Sequence, residues 1–204
     1  MDAQKKTLYA REQDPAARQA FCARLATVAA EDIIVIDECG SNLNLTPRYA
    51  RAPCGQRAIG YVPRTTPPNT TLIASLTLAG LGPAMILSGA TDRLAFEAYI
   101  EHVLVPTLRP GQIVILDNLS AHRGARVHQL VAARECELWF LPSYSPDLSP
   151  IEPAFAKLKQ AWRKAEARTL DALYDTISTS LPSITDDDAQ SFFTNCGYHL
   201  ARTP

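Results

Sequence analysis

The sequence predicts an α/β fold, a mixed sheet flanked by helices, and three observations carry that expectation. Ile33-Ile34-Val35-Ile36 and Ile113-Val114-Ile115-Leu116 are wholly apolar and bounded by polar residues, the pattern of strands buried on both faces. Between them, Thr71–Leu78 and Pro83–Leu87 flank Ala79-Gly80-Leu81-Gly82 and read as a hairpin with a glycine-bearing turn. Elsewhere apolar residues recur at spacings of three and four, the period of helices that lie on a sheet.

Taken in order, the first element is a helix with Asp14 as N-cap and Pro15 as first helical residue, placing Ala17, Phe21 and Leu25 on one face. Strand one covers 33–37. Residues 40–68 are rich in Pro, Gly, Asn and Arg without a sustained period, so a long loop is expected, and a loop of that length inside a domain usually has a job. After the hairpin, Thr91 or Asp92 caps a helix with Phe96, Tyr99, Ile100 and Val103 on its buried side, ended by Pro106. Strand 113–117, a helix over 124–134 and strand 137–141 follow. The Pro/Ser-rich turn 142–150 then leads into a helix from about Glu152 to Ala167 that buries Phe155, Leu158, Ala161, Trp162 and Ala165. Helices over 170–180 and 186–196 close the chain, with Gly197 as the C-terminal stop.

At 204 residues, 47% hydrophobic and 20% charged, the chain has the apolar content for one well-cored domain. The expected division is a helical lead-in over 1–30, a main α/β unit over 31–168 with an arginine-rich insertion at 40–68, and C-terminal helices over 169–204 packed on the same domain. No stretch approaches the ~20 apolar residues of a membrane span, and the opening Met1-Asp2-Ala3-Gln4-Lys5-Lys6 does not resemble a secretory signal, so a cytoplasmic protein with no membrane partner is expected. Five scattered cysteines with no C-x-x-C pair point to neither a disulfide framework nor a structural zinc site.

The net charge of −1 conceals an uneven distribution. Arg48, Arg51, Arg57 and Arg64 fall in a stretch without acids, and Lys157, Lys159, Arg163, Lys164 and Arg168 surround the single Glu166. Two basic faces of this kind suit a polyanion, although solvated surface explains either run alone. The acids that matter sit elsewhere. Asp37 and Asp117 each close an apolar strand and Glu152 follows the Pro/Ser-rich turn, an arrangement suited to holding two divalent cations over a phosphodiester. Carboxylates so gathered repel unless a cation joins them or one takes a proton.

The segments Val35-Ile36-Asp37-Glu38, Leu116-Asp117-Asn118-Leu119-Ser120-Ala121-His122 and Phe140 through Glu152 together resemble the catalytic domain of bacterial insertion-sequence transposases of the Tc/mariner superfamily, which are DDE enzymes on an RNase H-like fold. Thirty-four residues separate Asp117 from Glu152, a spacing common in that superfamily. The resemblance implies that Asp37, Asp117 and Glu152 are catalytic and ligate two Mg²⁺ ions, replaceable by Mn²⁺, about 4 Å apart. It implies metal-dependent DNA strand cleavage and strand transfer at transposon ends, double-stranded DNA as partner, TA as target and a homodimeric active complex. Asn118 and His122 would stand behind the metal ligands, where a structural role is an equal alternative. The loop after strand one corresponds to a clamp-like insertion, so Arg48, Arg51, Arg57 and Arg64 are expected on phosphates with Tyr49 as a stacking group, and Lys157, Lys159 and Lys164 form a second DNA face. Full-length relatives begin with helix-turn-helix modules that the residues before strand one do not supply, so end recognition is expected from a separate or missing region.

Bland readings stand beside these. Glu152 could instead complete a capping box with Ser149, although Pro153 disfavours helical backbone at Glu152 and suggests a later helix start. Glu38 is expected on the opposite face of its strand from Asp37 and outside the site. Asp147 is explained by a local turn, Asp92 by a cap, and Asp186 to Asp188 by a helix N-terminus. Another RNase H-like nuclease, or a non-catalytic DNA-binding or regulatory remnant of a transposase, remains the rival function.

Overall fold

The structure, a computed structural model, describes residues 10–64, 68–118 and 124–200. Five strands, β1 (Ile33–Ser41), β2 (Thr70–Thr77), β3 (Gly80–Ser88), β4 (Ile113–Leu116) and β5 (Glu137–Phe140), form one sheet in the order β3-β2-β1-β4-β5. β1 is antiparallel to β2 and β2 to β3, whereas β4 runs parallel to β1 and β5 parallel to β4. Six helices accompany the sheet: α1 (Pro15–Leu25), α2 (Arg93–Tyr99), α3 (Ala125–Ala132), α4 (Ile151–Ala165), α5 (Leu170–Ser180) and α6 (Asp186–Asn195).

The side-chain alternation of β1 and β4 divides the core into two layers. Ile33, Val35, Cys39, Ile113 and Ile115 pack with Phe21 and Leu25 of α1, with Phe155, Leu158 and Trp162 of α4, and with the buried residues of α5 and α6. Ile34, Ile36, Val114 and Leu116 pack on the other side with Phe96, Tyr99, Leu104, Val127 and Val131. Helices therefore cover both faces, as parallel strands with no polar face require. Asp37 and Asp117 continue the odd-numbered rows, which face α4.

Local signals fix the helix ends. Asp14 Oδ1 accepts from the amides of Ala16 and Ala17 at 2.9 and 3.1 Å, Asp92 Oδ1 accepts from Ala95 N at 2.8 Å, and Thr185 forms a reciprocal capping box with Asp188. Gly197, at φ +85°, stops α6 in the left-handed conformation that favours glycine.

Several expectations are corrected. β1 continues past residue 37 to Ser41 because its ladder with β2 persists to Ser41 opposite Thr70, while the ladder with β4 covers only Ile33–Val35. The hairpin turn is tighter than expected: β2 ends at Thr77 and β3 begins at Gly80, whose φ of +102° lets the chain reverse there. After α2 the chain widens into a π turn over Ile100–Leu104, which buries Leu104 fully and leaves Val103 partly buried against the same cluster. Ala17, Ala161 and Ala165 are exposed, since small residues beside Phe21 and Trp162 fall at the edges of their helices' buried stripes. α4 begins at Ile151, not after Pro153, because a proline in the first turn lacks only an amide that would have no helical partner. No helix among the described residues is long and apolar enough to cross a membrane.

Candidate active site

The site begins where the sheet opens. Beyond Val35, β1 loses its parallel neighbour: its last partner on β4 is Ile115, and β4 ends at Leu116. Asp37 is half-buried in the part of β1 beyond that point, Asp117 directly follows β4, and Glu152 is the second residue of α4. All three line one cleft of about 480 Å³, together with Glu38, Asn118 and the turn 141–146. Ser149 offers no side-chain cap to α4, so Glu152 is not held in the capping box that its spacing allowed.

Electrostatics mark Asp37 as the strained member. Burial pushes its carboxyl from 3.8 up to about 7, and the negative charges of Glu152, Asp117 and Glu38 push the same way. The Glu38 amide, donating to Asp37 Oδ1 at 2.7 Å, opposes them. Among the described residues no group of three or more acids, histidines or cysteines stands as a ready metal-ligand set. The carboxylates share a cleft and repel across it, and Asp37 is turned towards its neighbour's amide. Burial likewise raises the Cys39 thiol to about 11, against the pull of Lys159.

Glu38 is a correction: it lines the cleft and its charge acts on Asp37. Adjacent strand residues do point to opposite faces, but with β4 ended on one side both faces at the strand's crest reach the same open space. Asp147 is a second correction. It does lie in a local turn, Pro146–Leu148, but it also takes a bidentate ion pair from Arg18 of α1, with Nη1–Oδ1 at 2.9 Å and Nη2–Oδ2 at 2.6 Å, which holds its carboxyl below the usual range.

Asn118 donates from Nδ2 to Ser143 Oγ at 3.1 Å, linking the end of β4 to the turn before Glu152. His122 lies outside the described residues. Arg48, Tyr49, Arg51, Arg57 and Arg64 are all exposed along the loop after β1, Tyr49 at 91%. Arg48 and Tyr49 line a second cleft, of about 610 Å³, together with Lys159, Arg163 and Lys164 of α4. The fold thus joins the two basic stretches into one surface. Arg163 was not among the expected DNA contacts yet lines this cleft, and its i+4 relation to Lys159 on one helical stripe was a usable signal. Lys157 is instead paired with Asp188 of α6, which takes its charge out of the expected DNA face. Arg168 donates to the carbonyls of Leu43 and Leu45 at 3.1 and 2.8 Å, anchoring the base of the loop.

The profile of the DDE superfamily endonucleases matches residues 32–174. None of the curated proteins matches the sequence. Among solved structures, the Mos1 transposase paired-end complex with left transposon end superposes with a TM-score of 0.78 at 16% identity, over 97% of this chain and 64% of that one. The Mos1 mariner paired-end complex with Mn gives 0.76 at 15% identity, over 96% and 64%. The catalytic domain of Mos1 mariner transposase gives 0.58 at 13% identity, over 91% and 93%. The likeness is one of fold, and the chain spans less than two thirds of the longer Mos1 chains.

Proposed function

The chain belongs to the DDE superfamily of endonucleases, and from that premise we propose that it is the catalytic part of a Tc/mariner-type transposase, cutting DNA at transposon ends and joining the freed ends to a target. The observation that carries the reading is the convergence of Asp37 from within β1, Asp117 from just after β4 and Glu152 from the start of α4 on one cleft, with a basic second cleft further along α4. The donor set fits hard divalent cations: it is all carboxylate oxygen, from half-buried Asp37 and Asp117 and exposed Glu152, with no thiolate or imidazole among the three. These carboxylates would hold two Mg²⁺ ions, or Mn²⁺ in their place. When bound there, such ions polarise the scissile phosphate and make the attacking hydroxyl more acidic.

Each of the chain's own groups has a part. Asp37 must give up the carboxyl proton that it half retains near pH 7 before it can serve as a ligand. Asn118, through Ser143, keeps the turn in place at the cleft wall. Arg48, Lys159, Arg163 and Lys164 receive the phosphate backbone in the second cleft, with Tyr49 available to stack, while Arg51, Arg57 and Arg64 add contacts along the exposed loop. A water, and later a freed 3′-hydroxyl, attacks phosphorus in line as the P–O3′ bond opposite breaks and the 3′-oxygen leaves as a hydroxyl, so no covalent protein–DNA bond forms. A second copy of the chain and a helix-turn-helix region are the partners proposed for the active complex, and TA-containing duplex is the target.

The test is a nicking assay on transposon-end duplex with Mg²⁺ or Mn²⁺. Asp117→Asn should reduce the rate at least a hundredfold, in line with loss of a metal-ion contribution. Equal nicking by wild type and variant, or preferential cleavage of RNA–DNA hybrid, would sink the proposal.

A further inference from the structure

The segment from Leu141 to Pro150 carries the chain from β5 to Glu152 with only one short tight turn, Pro146–Leu148, of regular structure. Its conformation is therefore set from outside. At its start Leu141 N donates to Leu116 O at 2.8 Å, extending the sheet. Near its end the buried Tyr198 hydroxyl donates to Leu148 O at 2.9 Å. In the middle it is held twice: Gln13, just before α1, donates from Nε2 to Tyr144 O at 2.6 Å, and Arg18 of α1 grips Asp147 through both nitrogens of its fork. Tyr144 sits at φ +57°, a left-handed conformation that a non-glycine residue keeps only when its surroundings hold it. α1 is itself braced on the sheet, with Phe21 edge-on to Trp139 of β5 at 6.3 Å between ring centroids.

We propose that Arg18 is a positioning residue for Glu152: its bidentate pair with Asp147 fixes the 141–150 turn so that the third carboxylate is presented to the other two. Neither Arg18 nor Asp147 lines the cleft, so the action runs through the turn, whose Tyr144, Ser145, Pro146 and Ser149 do. Arg18 is largely shielded, with its side chain 22% exposed, and a planar fork on a carboxylate defines an orientation that a single contact does not. The inference rests on the reading of Asp37, Asp117 and Glu152 as metal ligands. Partners standing behind metal ligands typically change metal affinity 10- to 100-fold when lost.

Mn²⁺ binding to the full 204-residue chain, followed by electron paramagnetic resonance, tests this directly. Arg18→Ala and Asp147→Asn should each weaken Mn²⁺ binding about tenfold. They should raise the Mn²⁺ needed for half-maximal nicking by the same factor, while nicking at saturating Mn²⁺ stays within about twofold of wild type. The exchanged pair Arg18→Asp with Asp147→Arg should recover most of the affinity. Wild-type Mn²⁺ affinity in both single variants overturns the proposal. Should Arg18→Ala fail to fold, Arg18→Lys, which keeps the charge without the fork, is expected to show intermediate affinity, and wild-type affinity there overturns it equally. A wild-type chain that binds no Mn²⁺ overturns the ligand reading itself and this proposal with it, whereas unchanged variants of a Mn²⁺-binding chain overturn only the role of Arg18.

Discussion

Replacing Asp37 by asparagine should stabilise the metal-free protein at neutral and alkaline pH while removing one of the proposed metal ligands. In the unfolded chain the carboxyl titrates near 3.8, and in the folded chain near 7, principally because it is buried. Between those values the native state holds a proton that the unfolded state has lost, so stability falls as pH rises from about 4 to about 7 and then levels off. At about 1.4 kcal/mol per pH unit of displacement, the full cost above pH 7 is about 4 kcal/mol. Asparagine carries no charge, so Asp37→Asn should gain almost nothing below pH 4 and approach that figure by pH 8. For a chain of this size the gain corresponds to a rise in Tm of roughly 10 °C. The assay is thermal unfolding of wild type and variant across pH 4 to 8 with a chelator present. Parallel curves across that range, or a variant less stable than wild type at pH 8, would refute the argument that burial and neighbouring acids strain this carboxylate. Saturating Mn²⁺ should reverse the ranking by stabilising wild type alone.

Two further outcomes follow from the basic surface and the core. Neutralising Arg48 and Lys164 together, as Arg48→Gln with Lys164→Gln, should weaken binding to duplex DNA and flatten the slope of log affinity against log salt by about 2, measured by fluorescence anisotropy; an unchanged slope removes the second cleft from the DNA path. Trp162→Ala should cost about 4 kcal/mol in urea unfolding, since the indole is 1% exposed at the α4–α5 contact and its Nε1 donates to Ser180 Oγ at 2.8 Å, and a loss below about 1 kcal/mol would mean that the contact carries little of the fold.

The acids and strands were legible in the sequence for related reasons. A strand buried on both faces must be apolar throughout, so Ile33–Ile36 and Ile113–Leu116 announce themselves, and an acid closing such a run stands out. The caps of α1 and α2 were equally readable, because Asp14 and Asp92 each bond an amide two or three residues away and need no tertiary context. Glu38 misled because strand alternation is a local rule, whereas exposure at the crest of β1 depends on where β4 stops. Asp147 misled because its partner, Arg18, lies on a helix far away in sequence, and no local pattern encodes that pairing.

Local order along the chain therefore determined the α/β class, most of the elements and the three carboxylates suspected of chemistry, since periodicity, caps and strand ends are properties of neighbouring residues. Tertiary structure alone decided which charges meet. It joined Arg48 to Lys159 and Arg163, spent Lys157 on Asp188, brought Glu38 to the cleft and tied the turn before Glu152 to α1. Such pairings depend on distances through space, which come into being only when the two core layers close on the sheet.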